Sequence, residues 1–145
     1  MFTNIVVGTD GSNTAGLAVA LAADLARQHG AVLHLVNAYK VPNNAAVGLA
    51  GPTVVTSEEM SAEAFMDASK RVLAEAAKAA GAEKVESHSA VGSAADVLID
   101  VAEATGADLI VVGSKGMRGA RRMMGSVPNT VAHRAPCHVL VAKTA

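Results

Sequence analysis

The sequence predicts an α/β protein, a single doubly wound five-stranded parallel sheet in the order 3-2-1-4-5 with helices on both faces. Three observations lead there. Short β-branched runs alternate with Ala/Leu-rich stretches in the order βαβαβαβαβ, and parallel neighbours require crossovers of this kind. Two of the runs, Ile5-Val6-Val7 and Leu109-Ile110-Val111-Val112, are apolar without a break, as strands buried on both faces are. The chain has 145 residues, one ordinary domain, so residues 1–145 are read as a single unit. A chain of this size buries roughly 70% of the surface it exposes when unfolded, and its core needs no staples.

Each element has a local reason. Asn4-Ile5-Val6-Val7-Gly8 is β-branched and ends in glycine, a first strand. After the turn Thr9-Asp10-Gly11-Ser12, residues Thr14 to His29 are rich in Ala and Leu and stop at Gly30, a helix with a glycine cap. Ala31 to Ala38 is the second strand. Tyr39 to Val55 holds Pro42, Gly48, Gly51 and Pro52 and is the one long irregular connection. Thr56 and Glu59 have capping-box spacing, which starts the second helix there and puts Met60, Ala64, Phe65, Ala68, Val72 and Ala76 on one face before Gly81. Val85 to Val91 is a polar strand, and Glu86 and His88 mark it as an edge. Ser93 caps a third helix that stops at Gly106. Ala107 to Gly113 is the fourth strand, Ser126 to Arg134 a short helix, and His138 to Ala142 the last strand. Sequence order does not by itself give spatial order, but unbroken apolar strands in the centre and a polar one at an edge fit the doubly wound order 3-2-1-4-5.

Composition excludes several function classes. Hydrophobic residues make up 51% of the chain but aromatics only 2%, too few for a surface that stacks nucleic-acid bases. Cys137 is the single cysteine, which excludes an intrachain disulfide framework and a cysteine-based zinc cluster. The start of the chain has neither the basic nor the apolar stretch of a signal peptide. The longest uncharged run, Val41 to Ser57, contains two prolines and two asparagines and does not span a bilayer. A soluble, cytoplasmic protein without nucleic-acid or membrane partners is expected.

The net charge of −1 hides an asymmetry. Residues 1–108 hold six Lys/Arg and all thirteen Asp/Glu; residues 109–145 hold the other six cations and no acid. Four of these, Lys115, Arg118, Arg121 and Arg122, lie among Gly113, Gly116, Gly119 and Gly125. Glycines let a backbone approach a ligand and aim N–H groups at it. Gly125-Ser126 then opens a helix whose first N–H groups have no partner within it and carry about half a positive charge. Pro128 fits a first turn, and its missing N–H leaves Gly125, Ser126 and Val127 as donors. A solvated basic loop with a serine cap is the plainer reading. The switch point of a 3-2-1-4-5 sheet favours an anion site, because it lies between the first and fourth strands, at Gly8-Thr9-Asp10-Gly11 and Gly113-Ser114-Lys115-Gly116. The Gly-x4-Gly-Lys-Ser/Thr signature of P-loop enzymes is absent, and so is the dinucleotide Gly-x-Gly-x-x-Gly after the first strand.

Ile5-Val6-Val7-Gly8-Thr9-Asp10-Gly11-Ser12 and Gly113-Ser114-Lys115-Gly116 … Gly125-Ser126-Val127 resemble the ATP-binding branch of the universal stress proteins. The resemblance covers the whole chain, and the family's motif is Gly-x2-Gly-x9-Gly-Ser/Thr. Here eight positions, 117–124, separate the last two glycines, so the loop is one residue shorter. The resemblance implies a Rossmann-like fold of the adenine nucleotide alpha hydrolase type. It implies ATP as ligand, with Mg2+ as companion ion and cyclic AMP as the alternative. Asp10 matches the aspartate at the nucleoside end, with Thr9 beside it and the Ala38 backbone at adenine. Gly113 and Gly116 would follow ribose and phosphates, and Gly125, Ser126 and Val127 would hold the phosphate tail. It also implies a homodimer through the last strand. Val139-Leu140-Val141 independently suggests that pairing, since an apolar sheet edge is rarely left bare.

Asp10 could equally cap the turn into the first helix. The five histidines, His29, His34, His88, His133 and His138, show no i, i+4 pair on a helix, so no metal site is expected. Cys137 reads as a buried, inert thiol. Ser12, Ser114 and Ser126 lack a His–Asp arrangement, and no nucleophile or general base is evident. One or two of Arg118, Arg121 and Arg122 would reach phosphates. A nucleotide-binding stress or signalling module is therefore expected rather than a fast enzyme. The competing readings are a cyclic-nucleotide regulator, a slow ATPase or nucleotidyl transferase, and a dimeric interaction module with a vestigial site.

Overall fold

The computed structural model describes residues 1–42, 61–114 and 126–144. Five parallel strands, β1 (Asn4–Gly8), β2 (Val32–Tyr39), β3 (Val85–Val91), β4 (Leu109–Gly113) and β5 (His138–Ala142), form one sheet in the order β3-β2-β1-β4-β5. Helices α1 (Asn13–His29), α2 (Ala62–Ala80), α3 (Ala94–Thr105) and α4 (Val127–Arg134) connect them. The expected topology is the observed one.

Side-chain alternation along the strands divides the core in two. Ile5, Val7, Leu33, Leu35, Leu109 and Val111 point to one face, where the small residues Ala18, Ala22, Ala23 and Ala26 of α1 and Leu73 of α2 pack on them. Val6, Val36, Ile110 and Val112 point to the other, under Val97, Leu98 and Ala102 of α3 and Val131 of α4. Strands buried on both sides are why the central runs contain no polar residue. Each fully buried Ile, Leu or Val contributes about 1.5–3 kcal/mol.

The helix ends obey local rules. Ser12, Ser61 and Ser93 are N-caps whose hydroxyls accept from the N–H groups of Ala15, Ala64 and Asp96. Gly30, Gly81 and Gly106 close α1, α2 and α3 in the left-handed conformation that glycine adopts without strain.

Two expectations are corrected. The second helix begins at Ala62 behind Ser61, later than the Thr56–Glu59 spacing suggests; Thr56 to Met60 lie outside the described residues. Its inward face carries Ser69, Leu73 and Ala80, whereas Ala68 is exposed. The reason is a pairing between elements: the Ser69 hydroxyl bonds the Ser89 hydroxyl of β3 at 2.6 Å, so a polar residue occupies a buried position. Val72 instead packs beside the first βα turn, within reach of Gly11.

Candidate functional site

The chain moves from β1 to one side of the sheet through β2 and β3, then returns to β1's other side for β4 and β5. Helices leaving β1 and β4 therefore diverge, and a crevice opens beyond the strands' C-terminal ends. It measures about 440 Å³, within the ordinary range for small-molecule sites. The end of β1 contributes Gly8, Thr9 and Asp10; the end of β2, Val36, Asn37 and Ala38; the end of β4, Val112 and Gly113. Three helix starts converge on it: Ser12, Thr14 and Ala15 at α1, Ala94 and Leu98 of α3, and Ser126 to Pro128 at α4. Helix starts present N–H donors, so the rim favours negative charge.

The loop after β1 is held by its own side chains. Gly11 N–H donates to Thr9 Oγ1 at 3.1 Å, and Ser12 N–H donates to Asp10 Oδ1 at 2.9 Å, an Asx turn. Gly11 sits at φ +83°, which makes glycine the fitting residue there. Asn37 is buried at the end of β2, and its Nδ2 donates to the Thr9 carbonyl at 2.7 Å. Together with Thr9 N–H donating to Val36 O at 2.9 Å, this fixes the β1 loop against β2. Asp10 therefore does serve the turn, as its plainer reading holds, and it also lines the crevice.

On the β4 side, Ser114 N–H donates to Ala142 O at 2.8 Å and Thr144 N–H donates to Ser114 Oγ at 2.9 Å. Thr144 is thereby laid over Gly113, where a Cβ would stand 2.9 Å from Thr144 Oγ1. Close approach, not backbone freedom, requires this glycine. Ser126 is the N-cap of α4 by its backbone, yet its hydroxyl caps nothing. Ser126 Oγ and Thr144 Oγ1 are both buried with no hydrogen-bond partner among the described residues, and both residues line the crevice. Such groups are costly without a partner and usually have one.

Of the residues singled out from the sequence, Thr9, Asp10, Ala38, Gly113, Ser126 and Val127 line this crevice together. Gly116, Arg118 and Gly125, with Lys115, Arg121 and Arg122, lie outside the described residues. Asn37 and Thr144 were not anticipated as site residues. A polar residue in the apolar run of β2 was a signal for Asn37, whereas nothing in the sequence ties Thr144 to Gly113. Cys137 is half-buried, not fully buried, and burial followed by the nearby Asp108 raises its thiol pKa, which disfavours the nucleophilic thiolate. His34 and His88, dispersed in sequence, are brought together on β2 and β3 beside Glu86. Burial, reinforced by His88 and opposed by Glu86, holds His34 below the usual histidine range.

A sequence model of the universal stress protein family matches residues 1–143. The chain belongs to the universal stress protein family. Over 144 residues it is 35% identical to the universal stress protein Rv1636 of Mycobacterium tuberculosis H37Rv, covering 99% of this chain and 97% of that one. It is 32% identical over 145 residues to a Thermus aquaticus universal stress protein, covering 99% of this chain and all of that one. Among solved structures, a universal stress protein crystallised with cAMP superposes with a TM-score of 0.79 at 33% identity over 99% of both chains. A universal stress protein of Archaeoglobus fulgidus, solved in complex with dAMP, shares the fold with a TM-score of 0.62 at 24% identity, over 97% of this chain and 98% of that one.

Proposed function

We propose that this universal stress protein domain binds an adenine nucleotide, ATP foremost, in the crevice between β1 and β4, and acts as a signalling module rather than a fast enzyme. One observation carries the reading: the switch-point crevice combines three helix starts with two buried hydroxyls, Ser126 Oγ and Thr144 Oγ1, that have no hydrogen-bond partner among the described residues. Helix starts suit phosphate oxygens, and hydroxyls suit ribose or phosphate. In this reading Asp10 and Thr9 meet the nucleoside and the Ala38 backbone meets adenine. Gly113 and Gly116 follow the ribose and phosphates, Gly125, Ser126 and Val127 hold the tail, and Arg118 pairs with its charge. Asp10 and the hydroxyls are oxygen donors of the kind Mg2+ takes, so the ion could accompany the tail there. Asp10 is the one carboxylate among the described lining residues. Phosphoryl transfer also needs a group to position the nucleophile, so turnover should be slow. Cytoplasmic location, a single domain over residues 1–145 and pairing of two copies through β5 belong to the same reading.

Cyclic AMP is the second reading, favoured by the 33%-identical relative crystallised with it. Calorimetry with ATP, AMP and cyclic AMP separates the two. If the tail site operates, ATP binds tighter than AMP, at micromolar to submillimolar strength, and Gly125→Val abolishes ATP binding because its side chain fills the phosphate's place. Losing two charge-assisted hydrogen bonds costs about 3–6 kcal/mol. Equal ATP affinity of parent and variant would refute the tail site. A preference for cyclic AMP over both linear nucleotides would favour the cyclic reading.

A further inference from the structure

At the other end of β2, on the face covered by α3, three metal-binding side chains converge. Parallel pairing sets His34 of β2 beside Glu86 of β3 and places His88 two residues further along the same face. His34 Nδ1 lies 2.9 Å from His88 Nε2 and 3.5 Å from Glu86 Oε2, and the three donor atoms lie within 4.8 Å of one another. Asn4 of β1 completes the group from the far side: its Oδ1 is 2.9 Å from His34 Nε2 and accepts that N–H. The Nε2 proton leaves the Nδ1 lone pair directed at His88 and Glu86.

We propose that His34, His88 and Glu86 bind a zinc-type divalent cation at the β2–β3 edge, separate from the crevice. Zinc lies about 2.0–2.2 Å from nitrogen and carboxylate ligands, so tetrahedral donors stand about 3.3–3.5 Å apart. The His34–Glu86 spacing already has this value, and the two imidazoles need open by only a few tenths of an ångström. Two imidazoles and one carboxylate select zinc-type ions over Mg2+ or Ca2+, which prefer all-oxygen shells. Asn4 supplies the outer contact that fixes a ligating imidazole's tautomer and orientation. His34 is buried, while the Glu86 side chain is 62% exposed, which gives an ion a path in and leaves water as the fourth ligand. On binding, the hydrogen bond between the imidazoles is lost. The His88 Nε2 proton either moves to Nδ1 or, from the charged form, leaves to solvent, and Nε2 becomes a ligand.

Zn2+ titration calorimetry of the whole chain tests the site, with Co2+ absorption as a spectroscopic check. The parent should bind one Zn2+ at micromolar strength or tighter, and Co2+ should give the intense visible bands of a low-coordinate site. His88→Ala and Glu86→Gln change partly or fully exposed side chains and avoid a cavity at buried His34. Each should weaken Zn2+ by at least tenfold and remove the Co2+ bands, since even an outer-shell contact is worth about 10–100-fold. ATP affinity, measured alongside, should be unchanged. A parent that binds no Zn2+, or variants that bind it as tightly as the parent, would overturn the proposal.

Discussion

Asp108, in the turn entering β4, ties the start of β1 to a segment 105 residues away. Its carboxylate accepts from Thr3 N–H at 2.8 Å, Thr3 hydroxyl at 3.0 Å and Asn4 N–H at 3.2 Å. Partial burial works to raise its pKa, but these donors outweigh it and the net shift is downward. A depressed folded pKa means that the stabilisation is present above the unfolded value of about 3.9 and is lost as pH falls through the folded value. Asp108→Ala should therefore lower stability near neutral pH by about 1 kcal/mol, solvent screening included. The gap from the parent should narrow below about pH 4, as read by urea unfolding across pH. Thr144 allows a sharper test because its hydroxyl is buried without a described partner. Thr144→Val removes that group at nearly constant shape, so the ligand-free protein should gain about 1 kcal/mol or stay level. If the hydroxyl meets nucleotide, ATP binding should weaken by about 2–10-fold, a hydrogen bond's worth. Loss of stability with unchanged ATP affinity would contradict both halves.

Among the elements, β5 is a sheet edge with Leu140 and Val141 exposed. Among the described residues β4 is its one strand neighbour; a bare sheet edge invites another strand, and a two-fold axis lets β5 of a second copy pair antiparallel with it. A dimer at tens of micromolar is the expected result in sedimentation. Leu140→Pro, which removes a donor from the edge, should give monomer or aggregate; a strictly monomeric parent would refute the arrangement. The basic segment before α4 makes a separate prediction. Among single Ala variants of Arg118, Arg121 and Arg122, one or two should weaken ATP more than adenosine, by calorimetry. If none does, the segment is a solvated face. Helix α2 departs most from its expected packing. Periodicity located the helix, and Ala76 packs against the core as expected, but Ser69 and Leu73 are buried where Ala68 is exposed, Ser69 meeting Ser89 across the α2–β3 contact.

For the whole molecule, the proposed cation and nucleotide sites lie at opposite ends of β2. His34 and Ala38 are four residues apart on that strand, about 13 Å at 3.3 Å per residue. Sites that far apart without shared side chains act independently. Each ligand should raise the thermal midpoint, ATP at 100 times its dissociation constant by about 2.7 kcal/mol of stability. Together they should give the sum of the separate shifts in a thermal melt. A combined shift well short of that sum would mean the sites are coupled through β2.

The sequence by itself determined what depends on near neighbours. Unbroken apolar runs set β1 and β4 in the centre, Glu86 and His88 marked β3 as an edge, and serine and glycine caps bounded α1 and α3 nearly to the residue. Those polarities fitted the strand order, and with it a crevice at the β1 and β4 loops that hold Thr9, Asp10 and Gly113; Ser126 and Val127 came from the helix start after the glycines, and Ala38 from the family resemblance. Only the tertiary structure brought His34, Glu86 and His88 to one point, laid Thr144 over Gly113, tied Asn37 to Thr9 and joined Ser69 of α2 to Ser89 of β3. Each of these joins residues at least 20 positions apart, through strand register or helix packing. Local periodicity says that a strand pairs or a helix packs, but partners and angle come from the simultaneous filling of one core.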